Sequence, residues 1–525
     1  MEQTIPIKTL AELPPYQARA LGAKRALRFE GRDTSFAEFD RHTAQVANGL
    51  MELGLKRGDR IAYLGRNSDW YFELLFGAIR AGIVLSPIGW RLADPEILFI
   101  LENSQAKALF VEHEFLRPAI TDTLPATVTT LIAMDKHASK HERFDAWRDR
   151  QSNTAPDFSF EPDDVAVQIY TSGTTGRPKG AMLTHRNFIR MRELLAAQGS
   201  ESSKYYPDDI ALQAMPVSHV GGTSTGVWAL YHGISSVVAR QFDPDDVLGF
   251  IRDEGVNSFF LVPAALQRIA RDPRAQTTDF SRLRFIIYGG SPMPRELLAE
   301  CMKVFKCGFL QGYGMTETCA TIVQLPPEDH VLDDNPRLRS AGKALPGVEI
   351  AIRGDDGAPL PAGTVGEIVI RSPGNMVGYW NDPEATAKTI DPDGWLHSGD
   401  AGYLDDDGYL FIVDRVKDMI VSGGENIYPA EVENAIYGHP DVSEVVVIGV
   451  PSDRWGEEVK AMVVAKPGAD PKAESIIDWA KKHIASFKAP KSVDFIAALP
   501  KSGAGKVLRR EVRDPFWKGR DRKVN

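Results

Sequence analysis

The chain has 525 residues, of which 43% are hydrophobic and 25% charged, a composition typical of a globular protein. This length exceeds what one hydrophobic core usually supports, so we expect two or more domains. The 61 basic and 71 acidic residues give a net charge of −10, which argues against a nucleic-acid partner. Three cysteines without metal-ligand spacing fit a reducing compartment.

The sequence carries no targeting or membrane-spanning signal. The most apolar stretch, residues 72–90, is interrupted by Glu73 and Arg80. The first residues lack the basic start and apolar core of a signal peptide, and the last residues are not a peroxisomal address. We therefore expect a cytoplasmic protein without a transmembrane segment. Its oligomeric state stays open, with a homodimer as one option.

Apolar strand-like runs alternate with helix-like segments over the first 330 residues. Residues 60–65 predict a strand, and residues 69–81 predict a helix that Gly82 ends. Further along, residues 283–288 predict a strand and residues 294–305 a helix. This alternation is typical of an α/β fold, in which helices cover parallel sheets.

Residues 170–180 (YTSGTTGRPKG) follow an apolar, β-prone run and so predict a loop that leaves the end of a strand. Its glycines allow the backbone to approach an anion closely, and its hydroxyls and two cations can bind one. A plain Ser/Thr-rich surface loop rarely combines these features, and the spacing differs from a Walker A loop. We interpret the segment as a phosphate-binding loop. Its candidate ligands are Thr171, Ser172, Gly173, Thr174, Thr175, Gly176 and Lys179.

This loop resembles the phosphate loop of the adenylate-forming enzymes. That superfamily comprises acyl-CoA synthetases, peptide-synthetase adenylation domains and firefly-type luciferases. The resemblance covers almost the whole chain and is strongest to bacterial fatty-acyl or aryl acid–CoA ligases. It implies a large N-terminal AMP-binding domain, residues 1–416, and a small mobile α/β C-terminal domain, residues 417–525. The implied hinge is Lys417, although a lone lysine there also fits a solvated charge.

The pattern of predicted helices and strands changes in the second half of the sequence. From about 336 to 414, short strand-like runs and glycine-rich turns predict a β-rich subdomain. Beyond it, residues 442–450 and 459–465 predict strands, and residues 474–487 predict an amphipathic helix. A compact α/β unit is therefore expected at the C-terminal end.

Residues 311–318 (QGYGMTET) form the second cluster of candidate site residues. Glycines on both sides of Tyr313 predict a tight turn that presents its ring to a flat ligand. Thr316 offers a hydroxyl to phosphate and Glu317 an oxygen to Mg²⁺. The bare pattern is weak, but the resemblance assigns adenine to Tyr313, the α-phosphate to Thr316 and Mg²⁺ to Glu317. It also places Gly289, Gly290 and Ser291 along the adenine and the acyl group.

Three further segments carry single candidate residues. A histidine in an apolar setting, such as His219, is usually a core residue, but the resemblance places it beside the substrate carboxylate. Asp400 follows a glycine and fits either a turn cap or an acceptor for both ribose hydroxyls. The resemblance favours ribose, with Arg415 as a second contact. Lys506 follows a glycine-rich stretch and alone would fit a solvated charge, whereas the resemblance lets it bridge carboxylate and α-phosphate.

The resemblance implies a two-step ligase that uses ATP, Mg²⁺ and CoA. Lys506, Glu317, Thr316 and His219 would serve the adenylation step. Lys506 would then leave through a rotation about the hinge, which brings Gly423 and Gly424 against a pantetheine channel.

Two alternatives to an acid–CoA ligase remain open. One is a stand-alone adenylation domain that loads a carrier protein. The other is a non-catalytic nucleotide-binding paralogue, which would be expected to lack site residues that this chain retains. The small residues along 221–226 predict room for a medium- to long-chain or aryl-substituted acid. Pocket walls are expected from residues 218–228, 288–291 and 312–318.

Overall fold

The computed structural model describes most of the chain, with several short gaps. The side chains of Asp414, Arg415 and Asn426 lie outside the description. The described residues are 4–135, 140–171, 177–197, 204–332, 335–415, 418–422, 425–452, 454–502 and 505–518.

The described residues combine helices and strands throughout. The helices, in chain order, are α1 (Leu13–Leu21), α2 (Phe36–Glu52), α3 (Asp69–Ala81), α4 (Asp94–Ser104), α5 (Pro118–Thr121), α6 (Phe144–Asp149), α7 (His185–Ala197), α8 (Val220–Tyr231), α9 (Pro244–Gly249), α10 (Pro263–Ala270), α11 (Arg295–Phe305), α12 (Pro383–Thr389), α13 (Pro429–Tyr437), α14 (Ala473–His483) and α15 (Arg509–Arg513).

The strands of the N-terminal part, in chain order, are β1 (Arg25–Phe29), β2 (Arg32–Ser35), β3 (Arg60–Leu64), β4 (Val84–Ile88), β5 (Ala108–Val111), β6 (Thr130–Ala133), β7 (Glu142–Arg143), β8 (Val165–Thr171), β9 (Lys179–Thr184), β10 (Ile210–Gln213), β11 (Ser235–Val238), β12 (Ser258–Leu261), β13 (Phe285–Gly289), β14 (Gly308–Met315) and β15 (Ala320–Leu325). The remaining strands are β16 (Gly342–Ala344), β17 (Glu349–Arg353), β18 (Gly366–Arg371), β19 (Gly378–Tyr379), β20 (Leu396–Leu404), β21 (Tyr409–Arg415), β22 (Ile420–Ser422), β23 (Glu425–Ile427), β24 (Val442–Ser452), β25 (Gly456–Ala465) and β26 (Ser492–Phe495).

Three sheets organise the described strands. An 8-stranded sheet has the order β19-β9-β8-β4-β3-β5-β6-β7, and a 13-stranded sheet runs β17-β18-β20-β21-β16-β15-β14-β13-β12-β10-β11-β1-β2. In the larger sheet, β11, β10, β12, β13 and β14 pair in parallel. The C-terminal unit has its own 5-stranded sheet around β24 and β25. The expected α/β class, with a large N-terminal part and a smaller C-terminal unit, is confirmed.

The sequence-based element bounds agree closely with the structure in the N-terminal part. The predicted strand 60–65 is β3, and the predicted helix 69–81 is α3. The ends of α3 explain this accuracy: the Ser68 side chain accepts a hydrogen bond from the Trp70 backbone, and Gly82 ends the helix at φ +69°. The predicted strand 283–288 and helix 294–305 are β13 and α11.

The β-rich segment does not form a sheet of its own. Its strands β16, β21, β20, β18 and β17 extend the 13-stranded sheet as antiparallel neighbours. The junction is the pairing of β15 with β16, where a Cβ built on Gly342 would lie only 1.9 Å from the Gln324 carbonyl oxygen. Because Gly342 also has φ +100°, only glycine fits this junction.

The C-terminal unit follows its predicted order of elements. The predicted strands 442–450 and 459–465 are β24 and β25, which pair antiparallel. The predicted helix 474–487 is α14, which ends earlier because Ile484 adopts an extended backbone. Across the described part of the chain, no helix is both long and apolar enough to cross a membrane.

The core of the N-terminal part lies between the two larger sheets, where α3 is buried along its whole length. Its charged residues are paired: the Glu73 carboxylate lies 2.8 Å from His42 Nδ1 and 2.5 Å from Arg148 Nη1. Helix α8 packs against α3 through glycine, since a Cβ built on Gly226 would lie 2.1 Å from Phe72 Cε1. The close packing of α8 against α3 therefore depends on the absence of a side chain at Gly226.

We expect Gly226→Ala to destabilise the protein by about 1–3 kcal/mol, because the added methyl must displace the Phe72 ring. The matched control is Gly249→Ala in α9, where the nearest atom to a built Cβ is 4.0 Å away. That control should be neutral or more stable, by up to about 1 kcal/mol. Thermal unfolding of both variants checks the prediction, and equal midpoints would contradict it.

Candidate functional site

The predicted phosphate loop lies at the end of an antiparallel strand pair. Thr171 closes β8 and Lys179 opens β9, and the two residues are direct partners in the pairing register. The loop therefore leaves the end of a strand, as expected. Five candidate ligands fall outside the described residues and stay predictions, namely Ser172, Gly173, Thr174, Thr175 and Gly176.

Glu317 lies beside this loop. Its Oε1 accepts a hydrogen bond from the Tyr379 hydroxyl at 2.8 Å and one from Thr171 Oγ1 at 3.3 Å. Lys179 Nζ lies 5.2 Å from the centre of the Tyr379 ring. Burial and the charge of Glu317 raise the pKa of Tyr379, so its hydroxyl remains a donor. The structure thus joins the phosphate loop to the predicted metal ligand.

Tyr379 was not found by the sequence analysis. It reaches the site because β19 pairs with β9, with Tyr379 opposite Ala181. The two strands are about 200 residues apart in sequence, and neither residue carries a motif of its own. The only local signals in the sequence are the glycine before Tyr379 and the tryptophan after it, and neither indicates a binding site.

The tight turn predicted around Tyr313 is wrong. Gly312 and Gly314 lie within β14, which pairs antiparallel with β15. Glycine is needed there for close approach: a built Cβ would lie 2.7 Å from Thr321 Oγ1 at Gly312 and 1.7 Å from the Ala320 oxygen at Gly314. The chain turns later, in the short helical segment Thr316–Thr318.

Tyr313 and Asp400 are brought together. The Tyr313 hydroxyl donates a hydrogen bond of 2.8 Å to Asp400 Oδ2, and Asp400 is buried. Asp400 lies in β20 rather than in a turn, directly opposite Arg415 of β21. The Asp400 backbone amide donates a hydrogen bond to Ser398 Oγ at 3.0 Å. The predicted adenine and ribose contacts therefore share one position.

Lys506 reaches the N-terminal part at Gly290. Gly289 ends β13 and lies opposite Gly312, so close that a built Cβ would be 2.2 Å from the Gly312 oxygen. Gly290 then turns at φ +76°, and a Cβ built on it would lie 3.3 Å from Lys506 Cε and 3.7 Å from Nζ. The ammonium of the C-terminal unit thus lies over the end of β13. Ser291 follows Gly290 and is partly buried.

The loop that carries Lys506 is a narrow hairpin. Lys501 and Val507 form a β-bridge, and the Ser502 amide donates to the Lys506 oxygen at 2.7 Å. Gly505 has φ +81°, which lets the chain reverse just before Lys506. These contacts fix the base of the loop that carries Lys506.

His219 lies at the start of α8, partly buried. Burial lowers its pKa to about 4, and the charges of Lys506 and Arg91 act in the same direction. The imidazole is therefore neutral at pH 7, beside a cation. This environment differs from that of a core histidine held by a carboxylate.

A metal at Glu317 fits the residues present. Among the described residues, no group of three or more His, Cys, Asp or Glu could hold an ion unaided. Mg²⁺ is commonly bound by one or two carboxylates together with substrate phosphates, so a single carboxylate beside a phosphate loop suits it. Thr316 adjoins Glu317 and is partly exposed.

The space expected along 221–226 is largely filled. A Cβ on Gly222 would lie 2.2 Å from the Pro216 oxygen, and Gly226 contacts Phe72. Thr223 Oγ1 donates to the Val217 oxygen at 2.7 Å. The inference that these small residues leave room for the acid is therefore wrong for most of them. Only Gly221 and Thr225 of this helix segment are partly exposed beyond its first residue.

The predicted hinge and channel residues complete the set of site residues. Lys417, Gly423 and Gly424 lie outside the described residues, and so does the side chain of Arg415. Their assigned roles stay predictions.

Comparison with known proteins identifies the family. Residues 15–380 match the family "AMP-binding enzyme", and residues 431–506 match "AMP-binding enzyme C-terminal domain". A fatty acid–[acyl-carrier-protein] ligase, ScoC, of Streptomyces coeruleorubidus is 41% identical over 99% of this chain and 98% of that protein. A feruloyl-CoA synthase of an Amycolatopsis species is 40% identical over 97% of this chain and 99% of that protein.

The fold matches as well as the sequence does. The crystal structure of the anthranilate CoA ligase AuaEII in complex with anthranoyl-AMP superposes with a TM-score of 0.88. It is 26% identical and covers 97% of each chain. The chain therefore belongs to the AMP-binding enzyme family, as an AMP-forming acid–thiol ligase of the adenylate-forming, ATP-dependent type.

Proposed function

We propose that the enzyme activates a medium- to long-chain fatty acid or an aryl-substituted acid as its acyl-adenylate and then transfers the acyl group to CoA. The observation that carries this proposal is the position of Lys506 over Gly290, near neutral His219 and at the end of β13. A cation from the C-terminal unit at this point suits the attack of a carboxylate on the α-phosphorus of ATP.

The first step brings two anions together, so positive charge is needed where they meet. Lys506 would hold the carboxylate against the α-phosphate. His219 would offer a neutral imidazole to the carboxylate without adding a second charge beside Lys506. Mg²⁺, when bound at Glu317, would neutralise phosphate charge, and Tyr379 would fix that carboxylate through its hydroxyl.

The nucleotide would occupy the same end of these strands, next to Lys506. Tyr313 would contact adenine, while Asp400, with Arg415, would bind the ribose hydroxyls. Thr316 would donate to the α-phosphate. The loop from Thr171 to Lys179 would hold the β- and γ-phosphates, which leave as pyrophosphate. Gly289 and Gly290 would let adenine and the acyl group approach the backbone closely.

The second step requires Lys506 to withdraw, since it occupies the place that the thiol must enter. We assign the moving part to residues 417–525, hinged at Lys417, and the fixed part to residues 1–416. Rotation would bring Gly423 and Gly424 against the pantetheine arm, where a side chain would block it.

Two relatives support different acceptors and acids. The ScoC protein is named for a fatty acid and an acyl carrier protein, whereas the Amycolatopsis protein is named for an aryl acid and CoA. Transfer to a carrier protein is therefore the second candidate function. CoA is preferred here because the C-terminal motifs resemble those of acyl-CoA synthetases.

Lys506→Ala should lower adenylate formation by about a hundredfold or more, because one charge-stabilising contact is lost from the transition state. Thioesterification of a pre-made acyl-adenylate should survive. The control is Lys482→Ala on exposed α14, which should leave both half-reactions unchanged. Acid-dependent pyrophosphate exchange and thioester formation measure the two steps, and an equal loss of both would contradict the assignment.

Tyr313→Phe removes one hydrogen bond to Asp400 and should raise the KM for ATP about threefold to tenfold, with the KM for the acid unchanged. Tyr403→Phe is the matched control, since Tyr403 belongs to β20, as Asp400 does, but its ring stacks on Phe411 at 4.8 Å. Steady-state kinetics with each substrate varied in turn checks this. If both KM values rose together, Tyr313 would have a structural role only.

A panel of acids and acceptors tests the substrate class. Medium- or long-chain and aryl acids should give higher specificity constants than acetate, and CoA should accept the acyl group faster than a phosphopantetheinyl carrier. If acetate gave the highest value, the proposed acid class would be wrong. Transfer to the carrier alone would establish the second candidate function instead.

A further inference from the structure

Tyr437 ends α13 of the C-terminal unit and contacts the N-terminal part. Its ring is partly buried and packs against the core cluster to which α10 and α11 contribute. Its hydroxyl accepts a hydrogen bond from Gln267 Nε2 of α10. Burial raises the pKa of Tyr437, so the hydroxyl stays protonated at neutral pH. Tyr437 thus joins the two parts of the enzyme through both apolar packing and a polar contact.

A second donor reaches the same hydroxyl. Arg271, the residue that follows α10, also hydrogen-bonds Tyr437. The guanidinium is held in turn by Glu300 of α11, whose Oε2 lies 3.1 Å from Nη2. Gly438 follows Tyr437, and a Cβ built on it would lie 3.7 Å from Glu296 Oε1 of α11. The end of α13 therefore lies against two helices of the N-terminal part.

Helix α10 also contacts the loop that carries Lys506. Val262 is the residue that precedes α10. A Cβ built on Gly505 would lie 3.4 Å from Val262 Cγ2, and a Cβ built on Gly290 would lie 3.7 Å from Val262 Cγ1. The start of α10 therefore lies where Lys506 meets Gly290.

The two contacts on α10 are well separated. Gln267 and Arg271 follow Val262 by five and nine residues, which corresponds to about 7.5 Å and about 13.5 Å along the helix axis. A contact at one end of a rigid helix leaves the C-terminal unit able to turn about that point, whereas a second contact at the other end opposes the turn. Tyr437 therefore restrains the orientation of the unit that carries Lys506.

We propose that Tyr437 is a positioning residue that holds Lys506 in place for adenylation and must be released before thioester formation. The inference rests on the proposed function, in which the C-terminal unit turns between the two steps. Rotation would separate the Tyr437 hydroxyl from Gln267 and Arg271, so the strength of this contact sets the balance between the two arrangements. Tyr437 acts through the position of Lys506 and does not touch the reacting groups.

Tyr437→Phe keeps the ring and removes the polar contact. Because each half-reaction runs in one arrangement, weakening the docked one lowers the ratio of the adenylation rate to the thioesterification rate, whichever arrangement predominates. The loss of a hydrogen bond predicts a fall of about threefold to tenfold in this ratio. Single-turnover measurements of adenylate formation, and of thioester formation from pre-made acyl-adenylate and CoA, give the two rates.

The opposite side of the contact provides a second variant. Gln267→Ala should lower the same ratio by no more than Tyr437→Phe does, and it should have no further effect when combined with Tyr437→Phe, because the hydroxyl is already absent. The matched controls are Gln276→Ala, an exposed position beyond α10, and Tyr403→Phe, whose ring stacks on Phe411. Both controls should leave the ratio unchanged.

A double variant separates positioning from a general structural role. In the Lys506→Ala background, Tyr437→Phe should cause no further loss of adenylate formation, because docking of the C-terminal unit then delivers no cation. A further loss as large as that caused by Tyr437→Phe in the wild-type background would show a structural role and overturn the proposal.

The remaining outcomes distinguish this inference from the proposed function. If Tyr437→Phe slowed both half-reactions equally, or left both unchanged, the positioning role would be overturned while the two-step ligase remained. If the wild-type enzyme showed no acid-dependent pyrophosphate exchange, the proposed function would fail and this inference with it.

Discussion

The site depends on the close approach of two parallel strands where neither can carry a side chain. Gly289 of β13 and Gly312 of β14 are register partners, and a Cβ on Gly289 would lie 2.2 Å from the Gly312 oxygen. From this point the chain turns at Gly290, which lies against Lys506. Strand β14 continues through Tyr313 to Met315, and Glu317 follows in the short helical segment Thr316–Thr318. One backbone contact thus orders the cation, the aromatic ring and the metal ligand along a single sheet edge.

Charge in the cleft opposes the charge of the whole protein. The chain carries a net charge of −10, yet the described residues around Gly290 and Glu317 include Lys506 and Lys179. His219 is neutral at pH 7 because burial lowers its pKa to about 4, well below the usual range of histidine. A second positive charge there would repel Lys506, so the neutral imidazole favours the presence of the lysine in the cleft.

The sequence predicted those features that depend on local chemistry. Helix α3 was placed correctly because its capping serine and terminal glycine are adjacent to it in sequence. The family was predicted correctly because the segment from Thr171 to Lys179 combines glycines, hydroxyls and two cations, and the family match confirms it. The glycines beside Tyr313 were misread, since glycine serves both positive φ and close approach, and only the partner strand β15 decides between them. Tyr379 could not be found, because the pairing of β19 with β9 is a long-range contact.

Helix α8 shows why counting small residues does not predict the size of a substrate. Residues on a helix are separated by about 100°, so neighbours in sequence face different surroundings. Gly222 and Gly226 face backbone and the Phe72 ring, and their missing side chains serve packing. Gly221 lies against Phe260 of β12 and, like Thr225, is partly exposed, while Ser224 between them accepts a hydrogen bond from Arg192. The same run of small residues therefore packs tightly on one side of the helix, is partly exposed on a second and contacts a buried cation on a third. The side of α8 on which each small residue lies, rather than the total volume of the side chains, limits which acids can enter.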